Sequence, residues 1–371
     1  MKILTIYQTN EGSGCFKRLC DMINATLSNG LEVHYISTAE FPLHHQNLYF
    51  HKLPRIFKQK ILFSLYFLFF SSLYIVYLTI KHKLDSFVVF GSSYTFSCSL
   101  AKLIFKTPLI TFIHGNWIQE LSFNYPKSFI KLAFYIEKIG LLQSDKIYTV
   151  SYDLKDKLIK RYNINKEIEV LYNNIDIIRF FKRETKLLIT TEFNISADTF
   201  IIGFVGPMNP IKKIDVLIKA YANIAHDKCK LMIIGSGQEE KNLKKLVNKL
   251  GLSDHIIFTG WRDDIPELIS ALDLLVLSSE YEGCPMVLLE SLGCGTPCIG
   301  SNVGGICEIL KYNELLFATL NINALSNKLE QIINDKNYYN RIKTLCFDRK
   351  NNFVFNWDEE VTKIIKHICN R

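Results

Sequence analysis

The sequence predicts a two-domain α/β protein in which each domain is a doubly wound parallel sheet. Three observations carry that expectation. The chain has 371 residues, more than one hydrophobic core usually serves. Short apolar, β-rich runs alternate with helical stretches, the pattern of parallel strands joined by crossover helices. The alternation also starts twice, with a polar stretch at 182–199 between the two series. A content of 48% hydrophobic and 22% charged residues is globular and excludes a disordered chain.

In the first series, residues 3–7 read as a strand, and Gly12, Ser13 and Gly14 form a flexible turn. Residues 15–28 have helical spacing that stops before Gly30, and 32–36 alternate as a strand. Further strands are expected at 87–90, 109–113 and 146–150. The second series begins with a strand at 200–205 and a helix from about Asp215 to Ala225. A strand at 230–234 runs into Gly235-Ser236-Gly237, followed by a helix at 238–250 and a strand at 255–259. Strands at 273–277 and 297–300 flank a helix that contains Glu290. This divides the chain into a first domain at 1–181, a second at 182–352 and a last helix at 353–371. Ligands of such sheets sit beyond the C-terminal ends of the strands. Two facing units would therefore set the chemistry in a cleft between them.

The formal net charge is +8, and its distribution is uneven. Residues 1–180 carry 21 Lys/Arg against 13 Asp/Glu, an excess of 21 − 13 = 8, whereas 181–371 carry 23 of each. Between Glu40 and Asp85 there is no acid, while Lys52, Arg55, Lys58, Lys60, Lys81 and Lys83 fall there. One-sided basic charge points to an anionic partner. Within this zone, residues 61–80 are 20 consecutive uncharged residues, long enough to span a bilayer. Three readings stand for them: a buried helix, a helix lying at the membrane surface, or a span. A span would put the flanking strands of one sheet on opposite sides of the bilayer. The ten cysteines lack paired metal-type spacing and read as buried thiols of a reducing cytosol. The opening MKILTIYQTN reads as a strand rather than a signal peptide.

The richest segment is Ser279–Leu310, in which Glu282 and Glu290 stand eight apart and Gly283, Cys284, Pro285 and Met286 follow the first acid. Gly283 permits a tight turn and close ligand approach, and Pro285 can open a helix. That helix N-terminus would offer N–H groups and the positive end of its dipole to an anionic or hydroxyl-rich ligand. Glu290, two turns on, can accept paired hydroxyl hydrogen bonds. Gly304, Gly305 and Glu308 add a second glycine turn and a further acid.

This stretch resembles glycosyltransferase family 4, whose members carry two glutamates separated by seven residues in this setting, and the resemblance runs over nearly the whole chain. It implies the GT-B fold, two facing Rossmann-like domains with a cleft between them. It also implies a retaining transfer of sugar from a nucleotide-sugar donor such as a UDP-sugar or GDP-sugar. By this resemblance Glu282 faces the donor sugar, Glu290 holds the ribose hydroxyls, and backbone amides around Gly283–Met286 meet the sugar and phosphate. The family's phosphate loop, Gly-Arg, four residues, Lys-Gly, corresponds to the stretch from Gly206 to Lys213. Lys212 falls on the family lysine, Pro207 stands where the arginine is expected, and Lys213 replaces the glycine. Cations there stabilise the charge of a leaving diphosphate; the missing arginine removes a bidentate partner.

In the first domain, Gly12, Ser13 and Gly14 match the family's glycine loop at the diphosphate, and His114 matches a histidine beside the donor sugar. Asn173-Asn174-Ile175-Asp176 resembles a family Asn-Gly-Val-Asp, with Asn174 in the glycine place, where asparagine tolerates left-handed backbone. Gly235, Gly237 and the turn Gly260-Trp261-Arg262 resemble the base-binding region. The resemblance also implies that the last helix returns to the first domain.

No Asp-x-Asp motif is present, and no metal ligands are assigned. A metal-independent site is therefore expected; the retention implied by the resemblance, with no obvious enzyme nucleophile in the sequence, makes the expected step a same-face displacement in which the leaving phosphate takes the acceptor's proton. The expected partners are a glycan or lipid-linked acceptor and an anionic membrane surface met through residues 41–84, with His44, His45, His51 and His82 nearby; no nucleic acid is expected. The expected place is the cytoplasm, peripheral at the inner face of the membrane, in polysaccharide, lipopolysaccharide or glycolipid synthesis. Two other readings stay open: a nucleotide-sugar 2-epimerase of the same fold, and a non-catalytic basic peripheral membrane protein.

Overall fold

The computed structural model describes residues 1–8, 14–123, 125–224 and 228–369. Gly12 and Ser13 therefore lie outside the described residues. The chain forms two units, Met1–Tyr172 with Asn356–Arg371, and Asn173–Phe355.

The first unit is built on seven strands: β1 (Lys2–Ile6), β2 (Glu32–Ser37), β3 (Leu48–Lys52), β4 (Ser86–Phe90), β5 (Leu109–Ile113), β6 (Lys146–Thr149) and β7 (Ile168–Val170). They order as β3-β2-β1-β4-β5-β6-β7, and every pair is parallel. β4 and β5 are buried along their whole length, as parallel strands covered on both faces must be. Strands β3 and β7 are absent from the pattern read in the sequence. β3 is an edge strand of half-buried and exposed residues, and β7 has only 3 residues. β3 offers only Leu48-Tyr49-Phe50 before His51 and Lys52, and β7 only Ile168-Glu169-Val170, signals too short to mark a strand.

Residues 61–80 fall within a single helix, Lys60–His82, that joins β3 to β4. Both strands belong to one sheet, so the helix does not span a bilayer that separates them. One face is core: Phe63, Phe67, Ile75 and Leu78 are at most 2% exposed and join the cluster of Leu4, Phe87 and Val89. Ser71 is fully buried and bonds Ser97 Oγ of helix Ser92–Phe105 at 2.9 Å. The other face leaves Phe69, Phe70, Leu73, Tyr77 and Ile80 exposed. Behind the sheet, buried Glu137 of helix Lys127–Gln143 accepts from Ser92 and Tyr162 and ties three helices together. The last helix, Trp357–Cys369, is part of this unit. Arg18 lies 5.0 Å from the Trp357 ring centroid, and Lys366 donates to Asn29 at 2.8 Å.

The second unit has six parallel strands: β8 (Phe200–Val205), β9 (Cys229–Ile234), β10 (Ile256–Gly260), β11 (Leu274–Leu277), β12 (Cys298–Ser301) and β13 (Leu316–Phe317), in the order β10-β9-β8-β11-β12-β13. The division between units falls at Tyr172, ahead of the boundary at 181 read from the sequence. The cause is a set of anchors that polarity does not reveal. Asn173 Nδ2 donates to Cys284 O at 3.0 Å, Asn174 Nδ2 to Phe355 O at 2.9 Å, and Ile175 N to Phe353 O at 2.8 Å. Asn174 makes its bond without left-handed backbone; it is not among the residues of positive φ. The stretch 182–199 is likewise no free linker. It contains helix Lys186–Glu192, and Lys186 pairs with Asp273 at 2.7 Å while Asp273 also accepts from Ile201 N.

Candidate functional site

In the second unit the loops after β8 and β11 are locked to each other. Lys213 takes left-handed backbone, φ 48°, where the family resemblance expects glycine. Its carbonyl and that of Lys212 both accept from Ser278 Oγ at 3.0 Å, and Glu280 N donates to Ile211 O at 2.8 Å. These bonds carry Lys212 Nζ to 2.5 Å from Glu282 Oε1, across 70 positions of sequence. Both side chains keep only 15% and 12% of their exposure. Ser279 Oγ donates to the same carboxylate oxygen at 2.6 Å. Lys213 Nζ turns aside to Glu280, 2.9 Å away. The two cations of this loop are thus divided, one to each acid.

Glu282 is held from behind as well. Its carbonyl accepts from Gly305 N at 2.9 Å. A Cβ on Gly305 would stand 1.8 Å from Gly283 O, so only glycine permits this approach. Gly283, Cys284 and Pro285 are buried and lead into helix Met286–Cys294, whose N-terminus has no side-chain cap. The uncapped end and its dipole suit an anion or a hydroxyl group. Glu290 lies half-buried on this helix. Gly235 has φ 130°, and a Cβ there would meet Gly206 O at 2.2 Å; Gly237 is closed in by Met208 backbone in the same way. Both keep the β8 and β9 loops in contact. Arg262 is committed to protein carboxylates: Nε donates to Asp264 at 2.8 Å and Nη1 to Glu192 at 2.6 Å.

In the first unit Gly14 opens helix Gly14–Ser28. His114 follows β5 and stacks on Phe90, with ring centroids 5.3 Å apart. Its Nε2 is buried without a hydrogen-bond partner among the described residues. Burial, and then the charge of Arg18, push its pKa down to about 3. The ring is therefore neutral across the physiological range. Arg18, 3% exposed, was not singled out in the sequence. Its only signal there is its place one turn into the helix that follows the glycine turn. Ser279 was missed too; three residues before Glu282, it had only proximity to mark it.

Two parallel α/β units, with paired lysine and glutamate at the strand ends of the second, define a protein of the GT-B class. The comparisons agree. Residues 13–179 match the family described as Glycosyltransferase Family 4, and residues 185–344 match Glycosyl transferases group 1. N-acetyl-alpha-D-glucosaminyl L-malate synthase of Bacillus anthracis is 32% identical over 56% of this chain and 53% of its own length. This chain thus spans about half the length of that relative. A Campylobacter jejuni relative, GalNAc-alpha-(1->4)-GalNAc-alpha-(1->3)-diNAcBac-PP-undecaprenol alpha-1,4-N-acetyl-D-galactosaminyltransferase, is 26% identical over 78% of this chain and 77% of its own. The fold is shared with Anabaena HepE, solved in complex with UDP and glucose, at TM-score 0.81 and 20% identity over 99% of both chains. The chain belongs to the family 4 glycosyltransferases of GT-B fold.

Proposed function

We propose that this protein is a retaining glycosyltransferase that moves a sugar from a nucleotide-diphosphate sugar, a UDP-sugar in the first instance, to a glycan or lipid-linked acceptor. The observation that carries this reading is the contact of Lys212 with Glu282 beside the uncapped helix Met286–Cys294. A diphosphate arriving at Lys212 replaces a carboxylate that already holds the ammonium in place. That frees Glu282 to accept from hydroxyls of the donor sugar, with Ser279 still fixing its other bond. Lys212 and the helix dipole then meet the charge that grows on the leaving diphosphate. No metal has a part in this step, and the leaving phosphate takes the acceptor's proton on the face it departs from. Glu290 would hold the ribose, and neutral His114 would accept from or donate to the sugar without changing its charge.

The relatives named for undecaprenol-linked substrates make a lipid-linked acceptor the favoured class here. The exposed face of helix Lys60–His82 fits such an acceptor's surroundings, with apolar side chains and Lys81 on the helix and exposed Arg55, Lys58 and Lys83 flanking its ends for anionic headgroups. The protein would act at the inner face of the membrane. Replacing Leu73 and Tyr77 by aspartate should abolish sedimentation with phosphatidylglycerol vesicles; unchanged sedimentation removes this part of the proposal.

The central test is thermal shift with UDP, GDP, ADP and CMP, with and without EDTA, followed by NMR of the product's anomeric configuration. A rise in melting temperature with one diphosphate, unchanged by EDTA, is expected because a ligand of the native state stabilises by mass action. An inverted product overturns the retaining mechanism, and no shift with any nucleotide overturns the donor site.

A further inference from the structure

Among the described residues, a cluster of three histidines has no part in the proposed transfer. His34 lies on β2, His51 on β3 and His82 at the end of helix Lys60–His82. Parallel pairing of β2 with β3 sets His34 opposite Tyr49 and Ile36 opposite His51. The helix that follows β3 brings the His82 ring centroid to 4.5 Å from that of His34. One nitrogen from each of the three rings lies within 4.8 Å of the others. Spacings of 17 and 31 positions hide this in the sequence.

Glu32 decides which nitrogen of His34 faces the cluster. Its Oε1 lies 2.8 Å from His34 Nε2, so the proton sits on Nε2 and the lone pair on Nδ1. Lys2 Nζ, 3.4 Å from the same oxygen, holds the carboxylate's charge there. The His34 lone pair is aimed at His51 Nε2, 2.9 Å away. This is the carboxylate–histidine arrangement that orients metal-bound imidazoles. Two imidazole nitrogens on a tetrahedral zinc ion stand roughly 3.3 Å apart at ordinary Zn–N lengths. The His34–His51 pair therefore needs to open by only a few tenths of an ångström.

We propose that His34, His51 and His82 bind one divalent late-transition-metal ion, zinc as the type, through His34 Nδ1, His51 Nε2 and one nitrogen of His82, with Glu32 orienting His34. On binding, the His51 proton moves from Nε2 to Nδ1 through solvent, so no net proton is released. Three nitrogen ligands leave a fourth position for water. The ion would staple the edge strand β3 and the end of the long helix to β2. Because all three histidines lie in the first unit, this site does not depend on the donor reading.

The test uses the untagged full chain, stripped with chelator and returned to chelator-free buffer. Calorimetric titration with zinc chloride should give one ion per chain, with a dissociation constant at or below about 1 μM. His51→Gln and His82→Gln should each weaken binding at least about tenfold, and Glu32→Gln by a similar factor. Both histidine variants should match the wild-type melting temperature without metal and lose its rise with zinc. The cobalt(II) spectrum of the unsubstituted chain depends on no variant's folding and should show the strong visible bands of a four-coordinate site. Binding undiminished in either histidine variant, no stoichiometric uptake, or a cobalt spectrum equal to that of the aqueous ion overturns the proposal.

Discussion

Lys212 and Glu282 are the pair on which the donor reading stands, and their contact sets a sharp expectation. In Lys212→Ala, Glu282 keeps Ser279 but loses its charge partner. Stability should fall by about 1–3 kcal/mol, less than for an isolated buried charge, because one hydrogen bond remains. Turnover with the accepted donor should fall far more, about 10²- to 10³-fold, because the cation acts most strongly on the charge that grows on the diphosphate as it leaves. Equal losses in turnover and in the fraction folded would show that Lys212 acts through folding alone. His114 gives a second expectation, now in pH. Its folded pKa of about 3 lies below the ordinary 6.5. The folded chain therefore binds fewer protons, and the contribution present above pH 6.5 is lost as pH falls toward 3. His114→Phe keeps the stack on Phe90 and removes this titration. The stability difference between wild type and variant should move against the wild type by roughly 1 kcal/mol between pH 7 and 5.5, read from urea midpoints. His34, His51 and His82 titrate in both proteins and cancel in the comparison. A pH-independent difference would mean that the His114 ring is hydrated.

Among the elements, the loop that carries Glu282 is shaped by a glycine outside it. Gly305→Ala sets a Cβ 1.8 Å from Gly283 O, backbone against which nothing flexible can yield. The loop must shift, at about 1–3 kcal/mol, which lowers the melting temperature by several degrees for a unit of this size. Nucleotide affinity should fall with it; calorimetry with UDP that finds neither change would separate this turn from the donor site. The sequence made these loops legible because they are local: Gly283, Pro285, Lys212 and Glu290 each follow a strand whose apolar run is unmistakable. It hid what depends on pairing between distant segments. β3 escaped because an edge strand need not be apolar. The stretch 182–199 passed for a linker because its anchors, Lys186 with Asp273 and Thr185 with Glu267 O, are polar. Helix Lys60–His82 was visible in length and apolarity, but one buried face and one exposed face cannot be told apart in a run with no charged residue to mark the outside. Arg262 was visible as a cation, yet its two acids are set by folding.

At the scale of the molecule the chain is divided unequally in kind. The second unit is one continuous stretch, Asn173–Phe355, whereas the first is closed by its own C-terminal helix. Trp357, 2% exposed, lies under Arg18, and Arg18 is the charge that acts on His114. Removing residues 356–371 should therefore unfold or loosen the first unit and leave the second intact, splitting a single melting transition into two. The continuous unit makes the stronger demand. Lys212, Glu282, Gly305 and the helix Met286–Cys294 all belong to it, and the anchors from Asn173, Asn174 and Ile175 close it on itself. A fragment of residues 173–355 should fold and bind the nucleoside diphosphate within about tenfold of the full chain's affinity, a loss of at most 1.4 kcal/mol. On the proposed reading it should show no transfer, because it lacks the first unit and with it His114. A folded fragment that binds no nucleotide would overturn Lys212 as the main diphosphate contact.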